Sequence, residues 1–405
     1  MTLLLERLKS RQDIELGVVA QCGLQDHHFK ANGVEYFVVR TPWITGIRNR
    51  LGSYKEVLPV KSQIRKYAAI VNHWNPDIVH VHGTESGFGL IKVWGLIEKP
   101  VVVSIQGLMG PCAANAYGHL LPRQLHGPIR SAIGVDPTCL RIWKEFVERI
   151  PIEEEILRSA DMVLGRTQWD HAWACAYRPD VCYRHVDELM RPEFCEAPYW
   201  TVEKCKRRQI FCTSASQPLK GLHVLAEAVY RLREVYPDIH LNVACNGFVP
   251  HPKNDYARFV LEMIKKWHLE RAITFLGYLE AGSIVEQLRK ANCFVTPSFI
   301  ENGCNALQEA MLVGTPTVST LTGGLLTTID SERTGLTFPP GDAALLAWQI
   351  GRIFRDDRLA SGLGANARST AMEKHNPARV EEQLMAAYRE AMTGISNSES
   401  RYAHP

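Results

Sequence analysis

The stretch "CFVTPSFIENGCNALQEAMLVGTPTVSTLTGG", Cys293 to Gly324, decides how this chain folds. "CFVTPS" reads as a buried strand, "FIENGCN" as the loop behind it, "ALQEAMLVG" as a helix ended by Gly314, and "TPTVST" as a further strand. A strand, loop, helix and strand in that order make one α/β unit. Around the loop, Glu301 and Glu309 stand eight positions apart. A helical path between them would separate the carboxylates by about 12 Å along the axis. That exceeds the roughly 5 to 9.5 Å between the paired carboxyls of a glycoside hydrolase. A glycine loop opening onto a helix N-terminus instead presents main-chain N–H groups and a positive dipole end, which suit a phosphate or sugar hydroxyls. Glu309, one turn inside, is placed to accept from two hydroxyls of a ribose.

Working outward, similar short apolar runs alternate with helical patterns throughout. "IELGVVA", "VEYFVV", "DIVHVH" and "VVVSIQG" lie in the first half, and "QIFCTS", "IHLNVAC" and "ITFLG" precede the opening stretch. Buried parallel strands have this form, so the fold class is α/β with two Rossmann-like doubly wound domains. The join falls between residues 192 and 207. The expected domains are 1–195, 196–375 and a C-terminal helix with its tail, 376–405, packing back on the first domain. In that helix, Val380, Leu384, Ala387, Tyr388 and Met392 recur at helical spacing. Ligands in such sheets sit beyond the carboxyl ends of the strands. Residues 107–150, rich in Gly, Pro and His, read as a long insertion and are expected to form a substrate-side flap. "GLGANA", Gly362 to Ala367, matches a dinucleotide fingerprint but follows a helical segment rather than a strand, and is set aside.

Composition narrows the function classes. At 405 residues, 46% hydrophobic, 22% charged and net charge +3, the chain is a globular protein with no demand for a polyanionic partner, and nucleic acid is not expected. Its eleven cysteines are scattered and contain no C-x-x-C, the pattern of reduced core residues in a cytoplasmic protein. No run of 18 apolar residues occurs, and charges interrupt the leucines of "MTLLLERLKSRQDIEL", so neither a spanning helix nor a signal peptide is expected. No D-x-D motif near a strand end and no His/Asp cluster of metal-ligand spacing is found. Between Ile44 and Lys66, six basic residues (Arg48, Arg50, Lys55, Lys61, Arg65, Lys66) face one acid, Glu56. With Ile47, Leu51 and Leu58 interleaved, the segment suits peripheral contact with an anionic membrane, at its inner face.

The pattern S-x2-E-N-G-x-N-x3-E-A-M-x2-G-T-P, followed by T-G-G-L, resembles the donor site of the family 4 retaining glycosyltransferases, which have the GT-B fold. "PLKGLHVLAEAVYRL", "ERTGLTFPPGD" and "PDIVHVHG" extend the likeness over most of the chain. The resemblance implies a nucleoside diphosphate sugar donor, UDP or GDP, with no further cofactor and no metal. It makes Glu309 the ribose ligand and Glu301 the sugar-side residue. Gly303, Cys304 and Asn305 become main-chain donors, and Gly323 and Gly324 let a neighbouring loop approach the donor. Lys220 corresponds to the family's diphosphate-binding lysine, whose charge stabilises the leaving nucleotide. Ser214 joins the donor-binding set, although it and Ala215 stand where many members carry an arginine. The implied reaction is a retaining transfer to a glycan or lipid-linked acceptor of the kind met in bacterial polysaccharide synthesis.

The acceptor half departs further from the family. His82 and Glu85, at the end of the strand "DIVHVH", are candidates for holding a sugar, with a structural histidine as the competing reading. Gln106 stands where many relatives have a histidine and can position a hydroxyl but not act as a base. Members of the fold open with a strand and a glycine-rich loop, whereas "MTLLLERLKS" reads as the helix after that loop. The N-terminal domain is therefore expected to lack its first strand. These departures support an alternative, a non-catalytic GT-B relative acting as a binding or scaffolding subunit. A nucleotide-sugar epimerase would need carboxylates around the sugar ring that the sequence does not present.

Overall fold

The computed structural model describes residues 2–23, 25–41, 61–125, 138–213, 216–245 and 255–394. The chain divides into two compact units. Unit 1 is Met1–Met109, Val147–Leu189 and Pro377–Pro405, and unit 2 is Gly110–Phe146 and Met190–Asn376. The first boundary thus falls ahead of residue 195, and most of the insertion groups with unit 2.

In unit 1 the described elements begin with α1 (Thr2–Lys9), β1 (Leu16–Gln21), β2 (His27–Ala31), β3 (Val34–Val39) and α2 (Lys61–Trp74). There follow β4 (Val79–His82), α3 (Leu90–Val93) and β5 (Val101–Ser104), with α4 (Met109–Asn115) starting at the boundary. After α5 (Pro122–Leu125) and α6 (Thr138–Ser159), the chain adds β6 (Met162–Gly165), α7 (Gln168–Tyr177) and β7 (Tyr183–His185). β1 runs parallel to β3, which pairs antiparallel with β2 through a turn at Asn32-Gly33 where both residues have positive φ. Asn-Gly favours that hairpin turn. β4, β5, β6 and β7 form a separate parallel sheet, and no ladder joins β1 to β4 among the described residues. The same two apolar clusters nevertheless cover both sheets. Val19 and Val39 pack with Val81, Val101 and Val103 on one face, and Leu8 and Leu16 with Val102, Met162 and Leu164 on the other. The sheet expected to lack a strand is therefore two sheets sharing one pair of cores.

Unit 2 continues with α8 (Pro192–Cys195), β8 (Gln209–Thr213), α9 (Leu222–Arg233), β9 (His240–Ala244), α10 (Asp255–Lys266) and β10 (Ile273–Gly277). Next come α11 (Ala281–Lys290), β11 (Cys293–Thr296), α12 (Asn305–Val313), β12 (Thr317–Thr320), β13 (Leu336–Phe338), α13 (Ala343–Arg355) and α14 (Asp357–Lys374). Its six strands are all parallel in the order β10-β9-β8-β11-β12-β13. Strands buried on both faces need continuous apolar runs, and β11 and β12 are buried at every position. α12 is buried from Leu307 to Val313, where each fully buried Leu, Met or Val contributes roughly 1.5–3 kcal/mol. The set-aside fingerprint lies inside α14. A Cβ on Gly364 would sit 2.2 Å from the Gly314 carbonyl oxygen, so this glycine serves helix packing.

The last described helix, α15 (Pro377–Thr393), belongs to unit 1. Its Leu384 and Ala387 enter the cluster around Val102, Met162 and Leu164. The Tyr388 hydroxyl is hydrogen-bonded to His80 Nδ1 at 2.6 Å.

None of the eleven cysteines is in a disulfide. Cys139, Cys212, Cys245 and Cys293 are buried, whereas Cys22 is exposed and does not fit the expected core role. Of the basic segment, residues 44–60 lie outside the described residues. Lys61, Arg65 and Lys66 lie on α2, with Lys66 Nζ 2.5 Å from Asp26. No described helix is long and apolar enough to cross a membrane.

Candidate active site

The order of unit 2's strands reverses between β8 and β11, which places a crevice at the carboxyl ends of those two strands. Behind β8, Ser214 lies outside the described residues, and Pro218–Lys220 forms a 3-10 turn leading to Gly221 with φ 73°. A Cβ on Gly221 would sit 1.9 Å from the Pro297 carbonyl oxygen, so glycine alone lets the loops behind β8 and β11 cross here. The crossing brings together two residues singled out from sequence. Lys220 Nζ donates to Glu301 Oε1 at 2.6 Å, and Ser298 Oγ donates to the same oxygen at 2.7 Å. Burial pulls the Lys220 pKa down, but Glu301 more than offsets it and holds the ammonium above its ordinary value.

The loop behind β11 reaches α12 through Cys304, which has φ 33° and no side-chain cap. The main-chain N–H groups of Gly303 and Cys304 donate to no described residue, and Asn305 follows at an exposed position. Gln308 braces the loop by donating from Nε2 to the Gly303 carbonyl at 2.7 Å, and its Oε1 accepts from buried His375. The close approach of Gly323 is to the Glu301 main chain, because a Cβ there would lie 2.2 Å from the Glu301 carbonyl oxygen. Gly324 N–H donates to that oxygen at 3.0 Å, so it is engaged within the protein.

Glu309 is 7% exposed, and burial raises its pKa while Arg191 opposes the rise. Arg191 donates from Nε and Nη2, at 3.0 and 2.7 Å, both to Oε1. No described residue donates to Oε2. The guanidinium lies 4.6 Å from the centre of the Phe194 ring. Sequence reading missed Arg191 because its partner is 118 residues away. His375 was missed for a similar reason, its partner Gln308 being 67 residues away.

The insertion expected as a substrate-side flap contains helices α4 and α5 and the start of α6, with residues 126–137 outside the described set. Between α4 and α5 it is fastened to the unit's own helices α9 and α10. His223 Nε2 donates to the Gly118 carbonyl at 3.0 Å, and Tyr256 O–H donates to His223 Nδ1 at 3.0 Å. His223 stacks on Phe299, and burial lowers its pKa to about 4. The segment at Gly118 is a brace in this structure.

Unit 1 holds the acceptor-side candidates. His82 ends β4 with its ring centre 4.0 Å from that of His80, and burial lowers its pKa to about 4, so it is neutral at pH 7. His80 is the structural histidine, bonded at Nδ1 to Tyr388 and at Nε2 to Ser104 Oγ. Glu85 folds back over Gly83, and its buried Oε2 meets no partner among the described residues. Gln106 Oε1 accepts from Arg166 Nη2 at 3.1 Å, and Arg166 Nη1 also pairs with Glu188. Arg166, missed in the sequence, could have been noticed as a charged residue directly behind the apolar strand β6.

The fold is that of the two-domain GT-B class of α/β proteins. Residues 201–370 match the model for glycosyl transferases group 1. The putative colanic acid biosynthesis glycosyltransferase WcaL of Escherichia coli is 30% identical over 304 residues, 69% of this chain and 68% of that protein. The chain belongs to the glycosyl transferases group 1 family. Glycogen synthase of Mycobacterium tuberculosis is 27% identical over 308 residues, 73% of this chain and only 64% of that protein's length. Among solved structures, sucrose-phosphate synthase from Thermosynechococcus elongatus superposes with a TM-score of 0.76 at 17% identity, covering 98% of this chain and 94% of that one. Anabaena HepE in complex with UDP superposes with a TM-score of 0.63 at 14% identity, covering 89% of this chain and 87% of that one.

Proposed function

We propose that this protein is a retaining glycosyltransferase that takes a sugar from a nucleoside diphosphate donor, UDP or GDP, and transfers it to a glycan or lipid-linked acceptor. The observation that carries this reading is the pairing of Lys220 with Glu301 at the switch point of unit 2, beside a helix bearing buried Glu309. HepE, which resembles this chain in fold, was solved with UDP, and this supports a nucleotide donor. Glu309 accepts from the ribose hydroxyls through Oε2 while Arg191 holds Oε1. The N–H groups of Gly303 and Cys304 and the ammonium of Lys220 meet the diphosphate. In the transfer, the bond from the sugar's anomeric carbon to the diphosphate oxygen breaks and a bond to the acceptor hydroxyl forms on the same face. The hydroxyl proton passes to the departing diphosphate. Lys220 acts by stabilising charge as it develops on that leaving group. Glu301 positions Lys220 and contacts the sugar, and His82, Glu85 and Gln106 hold the acceptor side. The reaction would run in the cytoplasm.

Thermal unfolding with UDP, GDP, ADP and their sugars tests the donor site. One nucleotide at a hundred times its dissociation constant should add about 2.7 kcal/mol of stability. Glu309→Ala should abolish that gain. Unchanged stabilisation in a folded Glu309→Ala protein would overturn the assignment. Nucleotide binding without transfer to any acceptor would favour the non-catalytic subunit, which the departures at Gln106 and Ser214 support.

A further inference from the structure

At the opposite end of unit 2's sheet, where the chain enters β8 and β11, lies a cavity of about 220 Å³. Tyr199, Thr201 and Lys204 line one side, and Glu286, Arg289 and Lys290 at the end of α11 line the other. Three cations therefore share this space with one carboxylate, and Glu286 is already paired with Lys290. Neighbouring cations each have an acid: Arg207 pairs with Asp357 at 2.7 Å and Arg208 with Asp238 at 2.6 Å. Lys204 and Arg289 have no carboxylate partner among the described residues. Arg289 Nε is buried, and no described residue accepts from it. A buried, unsatisfied guanidinium N–H beside a second unpaired cation costs free energy that an anion would recover.

The walls are fixed before any ligand arrives. Trp200 donates from its main-chain N–H to Val313 O at 3.0 Å and from Nε1 to Ala291 O at 2.7 Å. Tyr199 packs so closely on Gly314 that a Cβ there would lie 2.6 Å from its ring. A guanidinium, an ammonium and two hydroxyls converging on one hollow match the oxygens of a phosphate group. The volume accommodates a phosphate carrying a small organic group.

We propose that this cavity binds a small phosphate-bearing ligand through Arg289, Lys204 and Thr201, at a site separate from the one built on Lys220. The proposal does not depend on the donor reading. Isothermal titration of the full chain with inorganic phosphate tests it. The result expected is saturable binding that persists in Lys220→Ala and weakens at least tenfold in Lys204→Ala/Arg289→Gln. Urea unfolding of the double variant should give the wild-type midpoint, which reports that it is folded. Arg289→Lys alone should retain part of the affinity. Phosphate binding lost in Lys220→Ala, or equal in wild type and the double variant, would overturn the proposal. Sedimentation with vesicles containing anionic phospholipid separates the sources. Binding to vesicles that needs Lys204 and Arg289, with none to free phosphate, would also refute a small ligand and assign the contact to a lipid headgroup.

Discussion

Single residues carry most of the geometry of the loops behind β8 and β11, and two of them give sharp expectations. Gly221 combines a left-handed backbone with the 1.9 Å approach to Pro297 O, so alanine there must strain the backbone and push the loops apart. The backbone alone costs about 1–2 kcal/mol, and with the displaced loop Gly221→Ala should lose at least about 3 kcal/mol in urea unfolding. His223 sets a pH dependence. Its folded pKa of about 4 lies below the roughly 6.5 of an unfolded histidine, so between those values the unfolded chain binds an extra proton. Stability therefore falls as pH drops from 6.5 towards 4 and levels off below, by about 3 kcal/mol from this residue. His223→Gln, which keeps a donor towards Gly118, should make that part of the curve shallower and leave the slope due to His82, whose pKa burial also lowers to about 4. An identical slope in the variant would show that His223 is not the titrating group.

At the scale of elements, α15 is held by several polar contacts, among them Tyr388 to His80 and Glu390 to Arg184, as well as by its apolar stripe. Tyr388→Phe removes a hydrogen bond from half-buried His80 and should cost about 0.5–1.5 kcal/mol, read as a lower urea midpoint for unit 1. Where the chain was legible depended on element type. β4, β5, β8, β9, β11 and β12 stood out as apolar runs, and the Leu384–Ala387 stripe marked α15. β2, with its exposed His27, His28 and Lys30, has no such run and exists because the Asn32-Gly33 turn pairs it with β3. Helix α6 was hidden because Pro151 interrupts its pattern and residues ahead of it read as loop. The glycines and glutamates of the loop behind β11 could be singled out because each occupies a fixed offset in one short segment. Their partners Arg191 and His375 were not, because ion pairs and hydrogen bonds between distant segments leave no periodic trace.

For the whole molecule, two units with separate cores predict separable responses. A nucleotide at the Lys220–Glu309 site should slow hydrogen exchange in α9 and α12, while β4, β5 and β6 keep their rates. Uniform protection across both units would contradict a donor site built within unit 2. The chain's path adds a consequence for synthesis. Unit 1 opens the chain but is completed by Pro377–Thr393, after every segment of unit 2 has been made. During translation the second unit can therefore close first, while Val102, Met162 and Leu164 wait for Leu384 and Ala387 to cover them. Domains made first usually fold first. Here the ribosome delivers the keystone of the first unit last, and a nascent chain stalled before Pro377 should bind chaperones through an apolar surface that the finished protein hides.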